Sequence, residues 1–432
     1  MTTPSQPKPS EWLPATASSW LTPRRLRAHA IILAICLWGA CAVDFSTPGL
    51  IDRAGNIKFQ DFLPLYVSAQ SIAQGRADAL YNQEAAVTEM KAIVAQSNAP
   101  RSMLSRLPNL YGPQVPLLFV PLTRFSFAAS ARIWGALSLL LFTACVYAIW
   151  KRFPALRPHA GMVVLAALAF PPLFHFFVRG QNSALVLTCF TAAFFGFRAE
   201  RRWLAGIALG FLVFKPQFLV AIPLILLLSG AWREFIGLLA SAAAQLAFAR
   251  IYFGSAVMRA YFSTLVHFPR WIETAEPGIA HMQMHSLRSF WALLLPWPQI
   301  ALALYVLSSL IVIWWAATIW KSGATLALRF SALTLAAVLV DPHLFVYDLL
   351  ALAPMFLLLA EWTIAHPHHP ASSAIRPLLY LAFVLPLFGP LAQWTHLQLS
   401  VPVLVALLWT IRRSTQSETP GHILASGESA VV

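Results

Sequence analysis

Charge is scarce in this chain. Only 11% of its 432 residues are Asp, Glu, Lys or Arg, against about 25% in a soluble domain. With 59% hydrophobic residues, that scarcity excludes a soluble globular protein, a disordered chain and a coiled coil. Acidic residues are the rarer sign: 16 Asp and Glu face 30 Lys and Arg, a net charge of +14. In a soluble protein this excess would point to nucleic acid. Here most basic residues fall in short clusters between apolar runs, the pattern of membrane orientation and anionic-lipid contact. Membrane lipids, not nucleic acid, are therefore the expected partner. The four cysteines (Cys36, Cys41, Cys145, Cys189) lie inside apolar runs, with neither a disulfide framework nor zinc spacing. Also missing are a GxGxxG turn, a P-loop lysine, an Asp-x-Asp pair able to hold a metal–nucleotide-sugar complex, and two similar halves. No cofactor or metal is expected.

What the chain has is apolar runs of the roughly 17–25 residues that span a bilayer. The expected fold class is an all-α polytopic membrane protein with about twelve spans. Residues 1–27 form a polar, Pro- and Ser-rich cytoplasmic tail ending in Arg24, Arg25 and Arg27. Ala40-Cys41-Ala42 resembles a signal-peptide cleavage site, but the long tail and the later clusters favour a retained span. Residues 28–412 form one integral-membrane domain and 413–432 a cytoplasmic tail. Spans are expected near 28–43, 128–150, 160–177, 183–197, 203–214, 217–229, 234–250, 298–320, 324–340, 344–362, 377–392 and 398–411. Segments 45–112 and 251–297 then lie outside, with a helix at 113–125 dipping into the outer leaflet. The basic clusters at 24–27, 151–157, 198–202 and 412–413 are all cytoplasmic in this register. The short pair around Lys215-Pro216 is its weak step, because about 12 helical residues rise only about 18 Å. One long kinked helix there would invert everything downstream.

In this register the conspicuous polar groups collect at the outer face: Asp44, Asp61, Arg179, Gln181, Asn182, Lys215, Asp341, His343 and Asp348. Ionisable residues within spans are costly, so such groups line a cavity or pair with one another. Asp61 precedes a segment that reads as a helix on the membrane surface. It either caps that helix or serves as a general base at the lipid–water boundary, with Asp44 the runner-up base. Lys215 either snorkels to the interface or anchors a phosphate. Arg179 is an interfacial anchor or its assistant. Asp341 and Asp348 are seven apart, hence on one helix face if the tenth span starts near Asp341. His281 and His285 have the spacing of a metal pair, but Met282 stands where the metalloprotease pattern needs Glu. His366, His368 and His369 read as a solvated, proline-broken loop.

Several fragments resemble glycosyltransferase family 87. They are Asp61-Phe62 with Tyr66, Ala69, Gly75 and Leu80-Tyr81; Tyr111-Gly112-Pro113; Pro116-Leu117-Leu118; and Pro121-Leu122. The series continues with Gly180-Gln181-Asn182, Ala205-Gly206 with Gly210, Lys215-Pro216, Asp341-Pro342-His343-Leu344 and Tyr347-Asp348-Leu349. The likeness covers about residues 28–360. It departs at Gly112, where the family often has proline, and at Asp341, where it often has serine. The resemblance implies the C-type glycosyltransferase fold, with interfacial helices in the first outer segment. It also implies transfer of a hexose, typically mannose, from a polyprenyl-phosphate donor to a lipid or glycan acceptor outside the plasma membrane. Asp61 falls on the family's aspartate thought to be catalytic. Such a donor carries its own leaving group, so one base and cations for the departing phosphate suffice, and a single carboxylate suggests inversion. Lys215, Arg179, Gln181, Asn182, Asp341, His343 and Asp348 are the expected substrate-binding residues. The alternatives are a transporter or flippase of lipid-linked sugars and a structural membrane subunit.

Overall fold

The computed structural model describes residues 21–95, 110–275 and 282–417. Among these the chain is helical, with only two isolated antiparallel bridges, Ile51 to Ile57 and Met284 to Phe345. The main helices are α1 (Pro23–Phe45), α2 (Leu63–Ala73), α3 (Gln83–Ala95), α4 (Phe127–Arg152), α5 (Ala160–Leu168), α6 (Pro171–Arg179), α7 (Ser183–Arg198) and α8 (Arg202–Gly210). They continue with α9 (Ile222–Leu228), α10 (Trp232–Ala275), α11 (Leu287–Leu294), α12 (Pro298–Lys321), α13 (Leu326–Val340), α14 (Ala353–Ala365), α15 (Pro370–Val384) and α16 (Ser400–Ser417).

Local chemistry sets the ends. α1 starts where the Thr22 hydroxyl accepts the Arg25 N–H at 3.3 Å and Pro23 takes the first turn, a position where its missing N–H costs nothing. α4 starts where Ser126 accepts the Ala129 N–H at 3.4 Å, and ends on Lys151 and Arg152, whose charges suit the negative end of the helix dipole. α8 lies directly on α10 because Gly206 leaves room: a Cβ there would strike the Glu234 carbonyl. Small residues of this kind let membrane helices approach closely. α13 is buried along almost its whole length and forms the centre of the bundle. Many large apolar side chains face outward, among them Ile32, Ile35, Leu140, Ile251 and Leu302, the surface that hydrocarbon covers.

Each expected apolar segment is helical, but among the described residues fewer than twelve helices are long and apolar enough to cross. Six of the described stretches have the length and apolarity: Pro23–Phe45, Phe127–Arg152, Trp232–His267, Pro298–Lys321, Val346–Ala365 and Pro370–Thr395. Arg157–Leu168 and Pro171–Arg179, bent by 47°, make a seventh if counted as one span. Ser183–Arg198, Arg202–Phe214, Pro216–Leu228 and Leu326–Val340 are shorter. Breaks at Gly180, Lys215-Pro216 and Asp341-Pro342 are what shorten them. Close to the expected end at 250, Gly254 adopts a non-helical conformation (φ 83°, ψ 173°) that divides α10 into two helices at a kink.

Three further expectations change. α2 does not lie on a surface: Leu63, Leu65, Tyr66, Val67, Ser68, Ala69 and Ser71 are buried in protein. Asp61 does not cap it, since Phe62 holds that position. The 113–125 segment is two short turns, Gln114–Leu117 and Val120–Arg124, divided by its prolines.

Candidate active site

The site is built around the turn between α6 and α7. Gly180 ends α6 with φ 72°, a left-handed conformation that costs other residues about 1–2 kcal/mol. A Cβ there would also lie 2.9 Å from Phe59 Cβ and 3.1 Å from Phe62 Cβ, so the turn and the 57–62 loop fit only with glycine. Backbone bonds join the two: Phe59 N–H to the Val178 carbonyl at 3.2 Å, and Asp61 N–H to the Arg179 carbonyl at 2.9 Å. Lys58 gathers the loop from inside, its ammonium donating to the carbonyls of Phe45, Thr47 and Gly49. Phe62 stacks on Trp134 at 6.3 Å between centroids, and the Trp134 indole donates to the Gln181 carbonyl at 3.2 Å.

This frame delivers Asp61 to Arg179, Gln181 and Tyr111. The Gln181 amide donates to Asp61 Oδ2 at 2.8 Å. Its oxygen accepts the Tyr111 hydroxyl at 3.3 Å, which also reaches Asn182 Oδ1 at 3.5 Å. Arg179 Nη1 lies 4.0 Å from Asp61 Oδ2, with side chains 32% and 21% exposed, and Arg179 Nη2 reaches Gln283 Oε1 at 3.5 Å. Burial pushes the Asp61 carboxyl above the usual aspartate value, and Arg179, Gln181 and Lys215 offset only part of that rise. Burial likewise pushes the Tyr111 phenol up, so it stays a neutral donor.

A buried layer lies behind this group. Lys215 sits between two 3₁₀ turns, Phe211–Phe214 and Pro216–Leu219, and does not snorkel. Its ammonium contacts Asp348 Oδ1 at 2.5 Å and Ser183 Oγ at 3.2 Å, while Ser183 donates to the same carboxylate at 2.8 Å. The Tyr347 ring lies 5.6 Å from that ammonium. Asp61 is within electrostatic reach of both Lys215 and Asp348. Asp341 and Asp348 do not share a helix face. The first ends α13, and the second lies in a separate 3₁₀ stretch, Val346–Leu352, because Pro342 prevents the helix continuing. Both still turn inward and are buried. Asp341 Oδ1 accepts the His343 N–H at 2.7 Å, whereas Asp341 Oδ2 and Asn182 Nδ2 are buried without hydrogen-bond partners. His343 is half-buried, its ring edge-on to Phe345 at 4.8 Å.

The structure therefore brings Asp61, Arg179, Gln181, Asn182, Lys215 and Asp348 together, with Asp341 beside Lys215 and Asp348. Asp44 stays at the end of α1, where its carbonyl accepts the Thr47 hydroxyl at 3.2 Å. The residues that sequence reading missed are Ser183 and Gln283. Ser183 follows Asn182 directly at the head of α7, and that adjacency was the available signal. Gln283 carries none. The His281/His285 pair is half outside the described residues. His285 bonds Ser400 Oγ at 2.8 Å, and burial drives it down to about 3, so it is a neutral structural ring. His366 and His369 bond backbone at Trp362 and Ala371. Among the described residues no His, Cys, Asp and Glu group could hold a metal.

Glycosyltransferase family 87 matches the chain over residues 109–346, more than half its length. The match takes in Tyr111, the 179–183 turn, Lys215 and Asp341. Asp61 precedes it and Asp348 follows it. No curated protein and no solved structure matches the chain.

Proposed function

The chain belongs to glycosyltransferase family 87, whose members are membrane glycosyltransferases, and from that premise we propose that it transfers a hexose, typically mannose, from a polyprenyl-phosphate donor. The acceptor is a lipid or glycan hydroxyl at the outer face of the plasma membrane. Asp61 takes the acceptor proton as the hydroxyl oxygen attacks C1 of the sugar. The C1–O bond to phosphate breaks, its electron pair leaves with the polyprenyl phosphate, and the sugar inverts. Arg179, a third exposed beside Asp61, faces the departing phosphate, where a guanidinium can bind two oxygens at once. Lys215 stands behind it, tied to Asp348, and contributes field rather than direct contact. Asn182 and Asp341, each with an unpaired polar atom, offer a donor and an acceptor to sugar hydroxyls. His343 stands next to Asp341, its N–H donating to Asp341 Oδ1.

The observation that carries this reading is the contrast between the carboxylates. Asp348 is neutralised by Lys215 and buried. Asp61 is partly exposed, oriented by Gln181, and raised toward working pH by burial, as a general base requires. Asp341 and Asp348 are buried and Asp61 alone of the three is partly exposed, so inversion is the expected course. The outer-face assignment is supported by the helices themselves. α7 starts at Asn182-Ser183 and ends at Arg198, and α4 ends at Lys151 and Arg152, so basic clusters mark the end opposite Asp61.

Purified protein in proteoliposomes, given radiolabelled polyprenyl-phosphate mannose and an extract of membrane lipids and glycans, tests the proposal. Label should enter a new lipid or glycan with release of polyprenyl phosphate. Label that crosses the bilayer with no new glycosidic bond would identify a flippase and refute it.

A further inference from the structure

Three helices lead from the Asp61 site to the opposite end of the molecule. α7 runs from Ser183 to Arg198, α13 carries Arg329 in its first turn and ends beside Asp341, and α14 follows the Asp348 turn and reaches Glu361. At 1.5 Å per residue, the 16 residues of α7 place its ends about 24 Å apart. At this far end the same helices border a cavity of about 620 Å³. It is separate from the site described above and shares no residue with it.

The cavity contains four permanent cations, Arg198, Arg202, Lys321 and Arg329, against the carboxylates of Glu200, Glu234 and Glu361. Two of the carboxylates are committed: Arg202 lies 3.9 Å from Glu200 and 3.8 Å from Glu234. Glu361 faces Arg198 and His366. Arg329 and Lys321 are left over, with no carboxylate within ion-pair distance of either among the described residues. The Arg329 Nε is buried without a hydrogen-bond partner, and the charges of Arg202 and Glu200 both reach its guanidinium. Aromatic walls hold the guanidinium groups in place, Arg329 lying 5.8 Å from the Trp320 ring centroid and Arg198 4.9 Å from that of Phe153. A partly desolvated guanidinium with an idle N–H, next to another arginine, is stabilised by an anion whose oxygens can take two of its donors at once.

We infer that this cavity binds a phosphate-bearing ligand, with Arg329 taking the phosphate oxygens and the Phe153, Trp320 and Trp362 walls taking the adjoining apolar part. The phosphate belongs either to a lipid headgroup or to a soluble phosphate ester. The inference is independent of the transfer chemistry at Asp61.

Native mass spectrometry of the full-length protein in neutral detergent tests it, with phosphatidic acid, diacylglycerol and glycerol 3-phosphate as probes. Phosphatidic acid and diacylglycerol differ only in the phosphate. Wild-type protein should retain phosphatidic acid over diacylglycerol, Arg329→Gln should weaken that retention at least tenfold, and Lys321→Gln at the exposed rim should weaken it severalfold. Displacement by equimolar glycerol 3-phosphate assigns the site to soluble esters, and resistance to displacement assigns it to lipid headgroups. Should Arg329→Gln fail to fold, Lys321→Gln decides alone. Equal retention of the two lipids, retention of no probe, or wild-type affinity in the folded variants overturns the inference.

Discussion

Lys215 Nζ and Asp348 Oδ1 are 2.5 Å apart, and their side chains are 4% and 3% exposed. The pair ties the 3₁₀ stretch after α13 to the break between α8 and α9, and Ser183 adds the start of α7. Three interruptions in apolar sequence are thus fastened at one point, directly behind Asp61.

Breaking such a pair strands a buried charge, which costs about 3–5 kcal/mol, whereas replacing both partners with apolar groups is often neutral. Lys215→Met should therefore lower the unfolding midpoint sharply, and adding Asp348→Leu should restore most of it. Unfolding in detergent of the two single variants and the double variant is the check. Additive losses would show that the two residues act separately. A folded double variant whose donor KM matches wild type would assign the phosphate contact to Arg179 rather than Lys215.

Gly180→Ala should cost at least about 1–2 kcal/mol for the left-handed backbone alone. The contact 2.9 Å from Phe59 Cβ adds to that by pushing the 57–62 loop away from the turn. Because Asp61 rides on this loop, transfer should fall much further than stability. Parallel unfolding and activity measurements decide, and an Ala variant with wild-type turnover would contradict the placement.

The pH–rate profile has a determined sign. Burial raises the Asp61 carboxyl and Arg179 pulls it back down. A general base works as the anion, so kcat/KM should rise as pH climbs through a value above that of an ordinary aspartate. Removing the nearby cation in Arg179→Gln favours the protonated form and should move this acidic limb to higher pH. The profile of kcat/KM reads the free enzyme directly, and a limb that stays fixed or moves down would contradict the assignment.

The helices and much of the site could be read from residue types. Gly180, Pro216 and Pro342 interrupt apolar runs, and polar residues placed beside such breaks are too costly to be incidental. The pairing of Lys215 with Asp348 was hidden because 133 residues separate them and no local pattern encodes a contact of that range. The polar start at Asp61 suggests a surface helix for α2, but Leu63, Leu65, Tyr66, Val67 and Ala69 cover more than one side of it, the mark of a buried helix. The helix lengths do not confirm twelve spans, for a geometric reason. Apolar composition marks a segment as membrane-embedded, but only helix length separates a crossing from a half-crossing, and the breaks decide that length.

Substitution of Asp61 by asparagine separates a general base from a carboxylate that only shapes the site. Asn keeps the shape of the side chain and removes the charge. Purified Asp61→Asn and Asp44→Asn should be compared with wild type for transfer from radiolabelled polyprenyl-phosphate mannose, with folding checked by unfolding midpoint. Asp61→Asn should bind donor and lose about 10²–10⁴-fold in turnover, the usual contribution of a general base, while Asp44→Asn stays near wild type. Near wild-type turnover in folded Asp61→Asn, with the loss appearing in Asp44→Asn instead, would place the base on Asp44 at the end of α1.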